Sequence, residues 1–187
     1  MDPDDVRSLT GQARNLRVLG QPKEAIKSLR QSIERLGEKP DLMLELGKAQ
    51  IAASLLEDAR ESLEKTAAID AKNWETHATL AILLDRMGEF VRADASYRRA
   101  LELSPNNAGV LNNRALSLAQ TGRLDDAFAL LQKVVNGENS FTQARQNLAM
   151  LYAIKGDFKT AERLAKEDLP PEVAGEMLAA FRLFHEP

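Results

Sequence analysis

The strongest constraint in this sequence is a period of 34 residues. One column of small residues recurs at that spacing without an insertion: Gly20, Ser54, Gly88, Gly122 and Gly156. Five residues after each of these stands an alanine: Ala25, Ala59, Ala93, Ala127 and Ala161. Seven residues before each stands another small residue: Ala13, Gly47, Ala81, Ala115 and Ala149. A fixed period of this length predicts a tandem array of repeated supersecondary units.

Each repeat has the pattern of two amphipathic helices joined by a tight turn. In the third repeat the apolar residues recur at helical spacing, first as Leu80, Ala81, Leu84 and Met87, and then as Phe90, Ala93, Tyr97, Ala100 and Leu101. Gly88 stands at the expected C-terminal end of the first helix, where the residue in the left-handed conformation is usually glycine. Pro105 follows the second helix and predicts its end. The alanines of the two columns are expected to let the paired helices approach closely.

These residues resemble the tetratricopeptide repeat family, most clearly over residues 74–107. The matching residues are Leu80, Ala81, Leu84, Gly88, Phe90, Ala93, Tyr97, Ala100 and Pro105. The resemblance implies an all-α superhelix, an α-α solenoid of about five helix-turn-helix repeats. The predicted repeats are 6–39, 40–73, 74–107, 108–141 and 142–175, which follow a short N-terminal cap at 1–5.

A further helix is predicted after the fifth repeat, at 171–187, because Pro170 should end the helix before it and Pro171 suits a first helical turn. Its apolar stripe consists of Val173, Met177, Phe181 and Phe184. We interpret it as a capping helix that closes the last repeat. Leu178 and Leu183 widen the apolar face, so a weak homodimer through this helix is the alternative to a monomer.

Composition and motifs argue against catalysis and against nucleic-acid binding. The net charge is −3 and no basic stripe is present, whereas a nucleic-acid binder should show a basic excess. The chain has no Cys, and its two histidines, His77 and His185, are too isolated for a metal site or a catalytic pair. No phosphate-binding glycine motif occurs. We therefore predict a protein that is not an enzyme, without cofactor, metal or small-molecule substrate.

The resemblance implies that a partner peptide lies on the concave side, along slots that flank the small residue of each first helix. In the first two repeats these slots mix charges, with Arg14, Glu45 and Lys48. In the last three they hold amides and apolar residues: Thr79, Ile82, Asn112, Asn113, Leu116, Gln146, Asn147 and Met150. Amides can pair with a peptide backbone of any sequence, and the apolar row can bury its side chains. These eight residues are the predicted peptide-binding site.

A chaperone-tail receptor is not expected, because Glu45 and Glu75 would repel the terminal carboxylate that such receptors bind. A narrower resemblance lies in residues 110–123 and 145–171, which are similar to the TadD family of tight-adherence (Flp) pilus assembly proteins. That resemblance implies an accessory, pilotin-like factor in pilus assembly and secretion, with an outer-membrane secretin as its partner.

Two functional classes therefore compete, and they differ in location. A pilus assembly factor is expected on the periplasmic side of the outer membrane, with a signal peptide and a lipid-acceptor Cys upstream of the printed sequence. If Met1 is the natural start, a cytoplasmic tetratricopeptide adaptor or co-chaperone-like protein with an unrelated partner is expected instead. No apolar run approaches the ~20 residues of a membrane span.

Overall fold

The computed structural model describes residues 4–138 and 140–183, without the side chains of Met177 and of residues 180–183. Over these residues it is built of helices joined by short turns and contains no strand. The eleven helices are α1 (Val6–Val18), α2 (Pro22–Leu36), α3 (Pro40–Ala52), α4 (Leu56–Ile69), α5 (Trp74–Arg86), α6 (Phe90–Leu103), α7 (Ala108–Gln120), α8 (Leu124–Val135), α9 (Thr142–Ile154), α10 (Phe158–Lys166) and α11 (Pro171–Leu183). The predicted all-α fold of paired helices is confirmed. The contacts divide the chain into two compact units, an N-terminal unit (Met1–Pro105) and a C-terminal unit (Asn106–Pro187).

The turn inside each repeat is fixed by its left-handed residue. The φ angles are 75° at Gly20, 60° at Ser54, 76° at Gly88, 78° at Gly122 and 83° at Gly156. The residue that follows donates its N–H to the carbonyl five residues back, as Glu89 does to Leu84 at 2.9 Å. This bond satisfies a carbonyl that the helix end would otherwise leave unpaired. The same reversal therefore joins the two helices of every repeat.

The two columns of small residues lie where the paired helices touch. All five alanines of the second-helix column are fully buried. In the first-helix column the closest approach is at Gly47, where an added Cβ would lie 2.7 Å from the side chain of Leu63. Dense packing of this kind leaves no room for a larger side chain. The predicted role of the small residues is confirmed.

In the N-terminal unit, the third repeat is tied by a buried polar contact between its two helices. Tyr97 of α6 is almost fully buried, and its hydroxyl donates a hydrogen bond of 2.9 Å to Oδ2 of Asp85 on α5. Burial and the neighbouring carboxylate raise the pKa of Tyr97 far above its usual range. The ring fills the core while the hydroxyl stays paired, so a large side chain is accommodated without an orphaned polar atom.

In the C-terminal unit, α11 packs against α9 and α10, as expected of a capping helix. The residues that make this contact differ from the predicted stripe. Ala174 and Leu178 are fully buried, and Leu178 clusters with Ala153 and Ala161, whereas Val173 is 45% exposed. The helix is therefore rotated by about one residue from the expected face. The side chains of Met177 and Phe181, and residue Phe184, lie outside the described residues.

We expect Ala93→Leu to lower the free energy of unfolding by about 1–3 kcal/mol, because the added carbons have no space between α5 and α6. Arg98→Ala is the control, since the Arg98 side chain is 60% exposed and should contribute little. Urea unfolding followed by circular dichroism measures both. Equal midpoints for the two variants would contradict the packing described here.

Ser54 should be replaceable by glycine with a gain in stability. It is the one residue other than glycine with positive φ among the described residues, and it is exposed. A side chain in the left-handed region is strained, so Ser54→Gly should stabilise the fold by about 1 kcal/mol. Gly88→Ser, at the equivalent turn, should destabilise it by a similar amount. Thermal unfolding would contradict this if both variants matched the wild type.

Candidate peptide-binding surface

Three of the predicted site residues form one chain of side-chain hydrogen bonds across α7 and α9. Nδ2 of Asn147 donates to Oδ1 of Asn112 at 2.8 Å, and Nδ2 of Asn112 donates to Oδ1 of Asn113 at 3.2 Å. Gln143 extends the chain, because its Nε2 donates to Oδ1 of Asn147 at 3.2 Å. The first helices of the fourth and fifth repeats are thus joined by paired amides. We call these four residues the amide chain.

Within the amide chain, burial separates residues that build the surface from residues that can meet a partner. Asn112 and Asn147 are each only 4% exposed, and both atoms of each side-chain amide are engaged. Asn113 is partly exposed, and its Nδ2 has no acceptor among the described residues. Gln146, in the neighbouring repeat, is also partly exposed. The polar groups open to a ligand are therefore those of Asn113, Gln143 and Gln146.

The apolar row lies on the same helices. Leu116 on α7 and Met150 on α9 each follow a fully buried alanine and are themselves half-buried. Half-buried apolar side chains beside free amides are the combination that peptide-binding grooves use: the apolar groups bury side chains, and the amides orient the backbone.

The two remaining predicted residues lie on α5 in the N-terminal unit. The hydroxyl of Thr79 donates to the carbonyl of Glu75 at 2.8 Å and the residue is buried. Thr79 therefore uses its hydroxyl within its own helix. Ile82 is half-buried, like Leu116 and Met150.

A network of charged side chains occupies the same slots in the first two repeats and reaches the third repeat through Glu75. Glu45 on α3 is almost fully buried, and its Oε1 accepts hydrogen bonds from Arg14 at 3.2 Å and from Lys48 at 2.7 Å. Lys48 also donates to Oε1 of Glu75 at 2.8 Å. Arg17 lies 3.8 Å from the second oxygen of Glu45. The network thus links α1, α3 and α5.

Electrostatics explain why Glu45 stays charged in this position. Burial raises the pKa of its carboxyl, but the hydrogen bonds and positive charges of Lys48 and Arg14 together outweigh burial and hold the pKa below its ordinary value. Lys48 is in turn shared between two carboxylates, so this surface offers little free positive charge to a terminal carboxylate.

His77 makes a hydrogen bond to the backbone just before its own helix, and His185 lies outside the described residues. His77 is half-buried and its Nε2 lies 3.1 Å from the carbonyl of Ala71, to which it donates. Among the described residues, no group of three or more His, Asp or Glu side chains is placed to hold a metal ion. In the same part of the chain, none of the helices has the length and apolarity needed to span a membrane.

Sequence reasoning missed two aspects of the surface. Gln143 was not among the predicted residues, although it lies one turn before Asn147 and could have been found at the helical spacing of four. The pairing of Asn112 with Asn147 was also missed. Its signal is a separation of 35, one more than the repeat, which places the two residues on neighbouring first helices but not in the same slot.

Family models place the chain among helical repeat proteins. Two models, both described as tetratricopeptide repeat, match residues 19–80 and 79–142. A TPR repeat-containing thioredoxin of Arabidopsis thaliana is 40% identical over 78 residues, which are 42% of this chain and 11% of the relative. Type IV pilus assembly protein PilF of Pseudomonas aeruginosa is 33% identical over 94 residues, 50% of this chain and 37% of PilF. The chain thus spans less than half the length of either relative.

Solved structures agree with the family models. A thermophilic TPR protein of Thermus thermophilus has a TM-score of 0.78 at 21% identity, over 95% of this chain and 99% of that one. YrrB, described as a TPR protein with an unusual peptide-binding site, has a TM-score of 0.65 at 18% identity, over 98% and 93%. At these identities the likeness shows the fold alone.

The charge network should make stability depend on pH through Glu45. Because its folded pKa lies below the ordinary 4.5, its charge stabilises the fold above that pH, and the contribution is lost as the pH falls below it. Glu45→Gln should therefore lower stability by about 1–3 kcal/mol at pH 7. The difference from the wild type should shrink as the pH is lowered from about 5 to about 3.

Denaturant unfolding at each pH measures this difference. The control is Glu102→Gln, whose carboxylate is 64% exposed. A difference between the wild type and Glu45→Gln that stayed constant across the whole acidic range would contradict the assignment.

Proposed function

The chain belongs to the tetratricopeptide repeat family, and from that premise we propose that it is a non-enzymatic scaffold that holds a peptide or short helix of a partner protein. The proposed binding surface lies on the first helices of the repeats. It comprises Asn113, Leu116, Gln146 and Met150 in the C-terminal unit, and the buried Asn112 orients Asn113 by a hydrogen bond. Ile82 is the residue in the equivalent slot of the third repeat, in the N-terminal unit.

The observation that carries this proposal is a difference in burial within the amide chain: Asn112 and Asn147 are buried, whereas Asn113 is partly exposed. Binding costs conformational entropy for every side chain of the surface that becomes ordered only in the complex. Here Asn112 has already fixed one side of Asn113 through the bond to Oδ1, while Nδ2 remains open to a peptide carbonyl. The surface is thus organised before a ligand arrives, and the neighbouring Leu116 can bury an apolar side chain.

We propose further that the partner belongs to a pilus assembly or secretion apparatus, with an outer-membrane secretin as the specific candidate. The resemblance of residues 110–123 and 145–171 to TadD supports this, and so does the similarity to PilF, whose name assigns it to type IV pilus assembly. Under this proposal the protein works on the periplasmic side of the outer membrane.

A cytoplasmic adaptor with an unrelated partner is the alternative, and the tetratricopeptide repeats are equally consistent with it. The N-terminus of the mature protein in its native cell separates the two. A lipid-modified Cys upstream of the printed sequence would support the assembly factor, whereas a mature chain that starts at Met1 would support the adaptor.

In both cases we propose that the protein acts as a monomer. The alternative, a weak homodimer through α11, could not use Leu178, which is fully buried against the preceding repeat. Val173 is the exposed apolar side chain that such a contact would have to use.

Peptide binding is tested by selection from a displayed library of random peptides, followed by titration of the best peptide against purified variants. Leu116→Asp should weaken its binding by more than about tenfold, because a charge replaces an apolar contact. Asn113→Ala removes one open hydrogen bond and should weaken binding about 2- to 13-fold. Binding should change little with salt, because this surface carries few charges.

Two controls make the result specific. Leu55→Asp introduces the same charge at an exposed leucine of the N-terminal unit and should leave affinity unchanged. Arg14→Ala alters the charge network. If Leu116→Asp bound as well as the wild type while Arg14→Ala lost the peptide, the binding surface would be the charged one. A synthetic peptide from the C-terminal end of the cell's pilus secretin tests the narrower proposal in the same titration.

A further inference from the structure

A cavity lies on a different face of the N-terminal unit, between the two second helices α2 and α4. Its volume is about 430 Å³, which is within the range of small binding pockets. Its apolar lining residues are Ile33 of α2 and Met43 and Leu46 of α3, and the other lining residues are polar or charged. Ion pairs lie on either side of it, from Arg30 to Asp58 at 3.3 Å and from Lys65 to Glu38 at 3.5 Å. We call this cavity the outer groove.

Gln50 is the unusual residue in the lining of the outer groove. It stands four residues before Ser54, in a column that otherwise holds Leu16, Leu84, Leu118 and Tyr152. Gln50 is 2% exposed, and its Oε1 has no hydrogen-bond donor among the described residues. A buried amide oxygen without a partner destabilises a fold, whereas leucine at this position would not. A hydrogen-bond donor from outside the chain would remove that penalty.

The charges around the outer groove indicate the sign of its ligand. Four carboxylates line it, from Glu34, Glu38, Asp58 and Glu61, against two cations, Arg30 and Lys65. Both cations are already paired with carboxylates. Glu34 has no cation partner among the described residues, so the groove retains a negative excess. Opposite charge on a partner is therefore favoured.

We infer that the outer groove is a second docking site, for a protein segment that inserts a tyrosine flanked by lysines or arginines. The tyrosine ring packs on the half-buried Ile33 and touches the small exposed parts of Leu46 and Met43, whose sulfur makes favourable contacts with aromatic rings. The phenolic hydroxyl donates to the amide oxygen of Gln50, which rotation about the last side-chain bond can present to the groove. The flanking basic residues pair with Glu34 and share Glu61 with Lys65.

A tyrosine fits these features better than the other candidates. Phenylalanine has no donor for Gln50, and the ammonium group of an inserted lysine would lose its hydration beside the buried amide of Gln50. The site is separate from the residues of the proposed peptide-binding surface, because all of its lining residues lie between Arg30 and Lys65. A partner could therefore occupy either surface while the other is free.

The test uses the full chain and the pentapeptide acetyl-Lys-Lys-Tyr-Lys-Lys-amide, with binding followed through the side-chain amide signal of Gln50 and the methyl signal of Met43 in NMR spectra. Both signals should shift with a common affinity. The matched peptide with phenylalanine should bind about 2- to 13-fold more weakly, because it lacks one hydrogen bond. A peptide with glutamates in place of the lysines should not bind.

Gln50→Leu gives two readouts that a purely structural glutamine would not give together. The variant should be more stable than the wild type, and it should bind the tyrosine and phenylalanine peptides equally. The exposed Gln120→Leu is the matched control and should change neither. Glu34→Lys together with Glu61→Lys should abolish the preference for basic peptides in a chain whose Gln50 is intact.

Two outcomes would overturn the inference. One is the absence of shifts at Gln50 and Met43 at millimolar peptide, which would mean that the groove holds only water. The other is equal affinity of the wild type for the tyrosine and phenylalanine peptides, which would mean that Gln50 does not recognise the hydroxyl. Binding that persists in Leu116→Asp would show that the outer groove works independently of the first-helix surface.

Discussion

The close approach of two helices within each repeat is the contact on which the rest of this structure depends. It requires a side chain no larger than alanine at the two contact positions, and a left-handed residue at the turn that brings the helices together. Once those three positions are satisfied, the direction of the second helix is set, and with it the slots that the first helix turns toward a partner. The 34-residue period of the sequence arises from this contact, because every repeat needs its small residues at the same positions.

The sequence predicted those features that depend on local sterics. Helix number, the turn at Gly88 and the burial of Ala81 and Ala93 follow from glycine's freedom and from helical spacing, which are properties of short segments. Features that depend on how far a helix is rotated about its own axis were harder to predict. The capping helix was expected to bury Val173, but Ala174 and Leu178 are buried instead. Both faces are apolar at helical spacing, so periodicity alone could not choose between them.

The residue types of the candidate surface were predictable from the sequence, but the hydrogen bonds between its side chains were not. Asn112 and Asn147 were expected to face a ligand, and the structure pairs them with each other and buries them. A side-chain pair between neighbouring repeats depends on how two first helices align, which no single repeat encodes. The corresponding slots in the first repeats hold charges around Glu45. The same fold thus supports one surface ordered by neutral amides and another ordered by ion pairs, which respond differently to salt and pH.

The close contact of Gly47 with Leu63 shows that repeats with the same period are not interchangeable parts. An added Cβ at Gly47 would overlap Leu63, whereas the third repeat holds Ala81 on its first helix and Tyr97 on its second. The second and third repeats therefore fit a small residue on one helix to a large one on the other in different ways. A chimera that joined the first helix of one repeat to the second helix of another would keep every spacing in the sequence and still acquire an overlap or a void. The smallest segment of this chain that can be exchanged without an overlap or a void is therefore the matched helix pair.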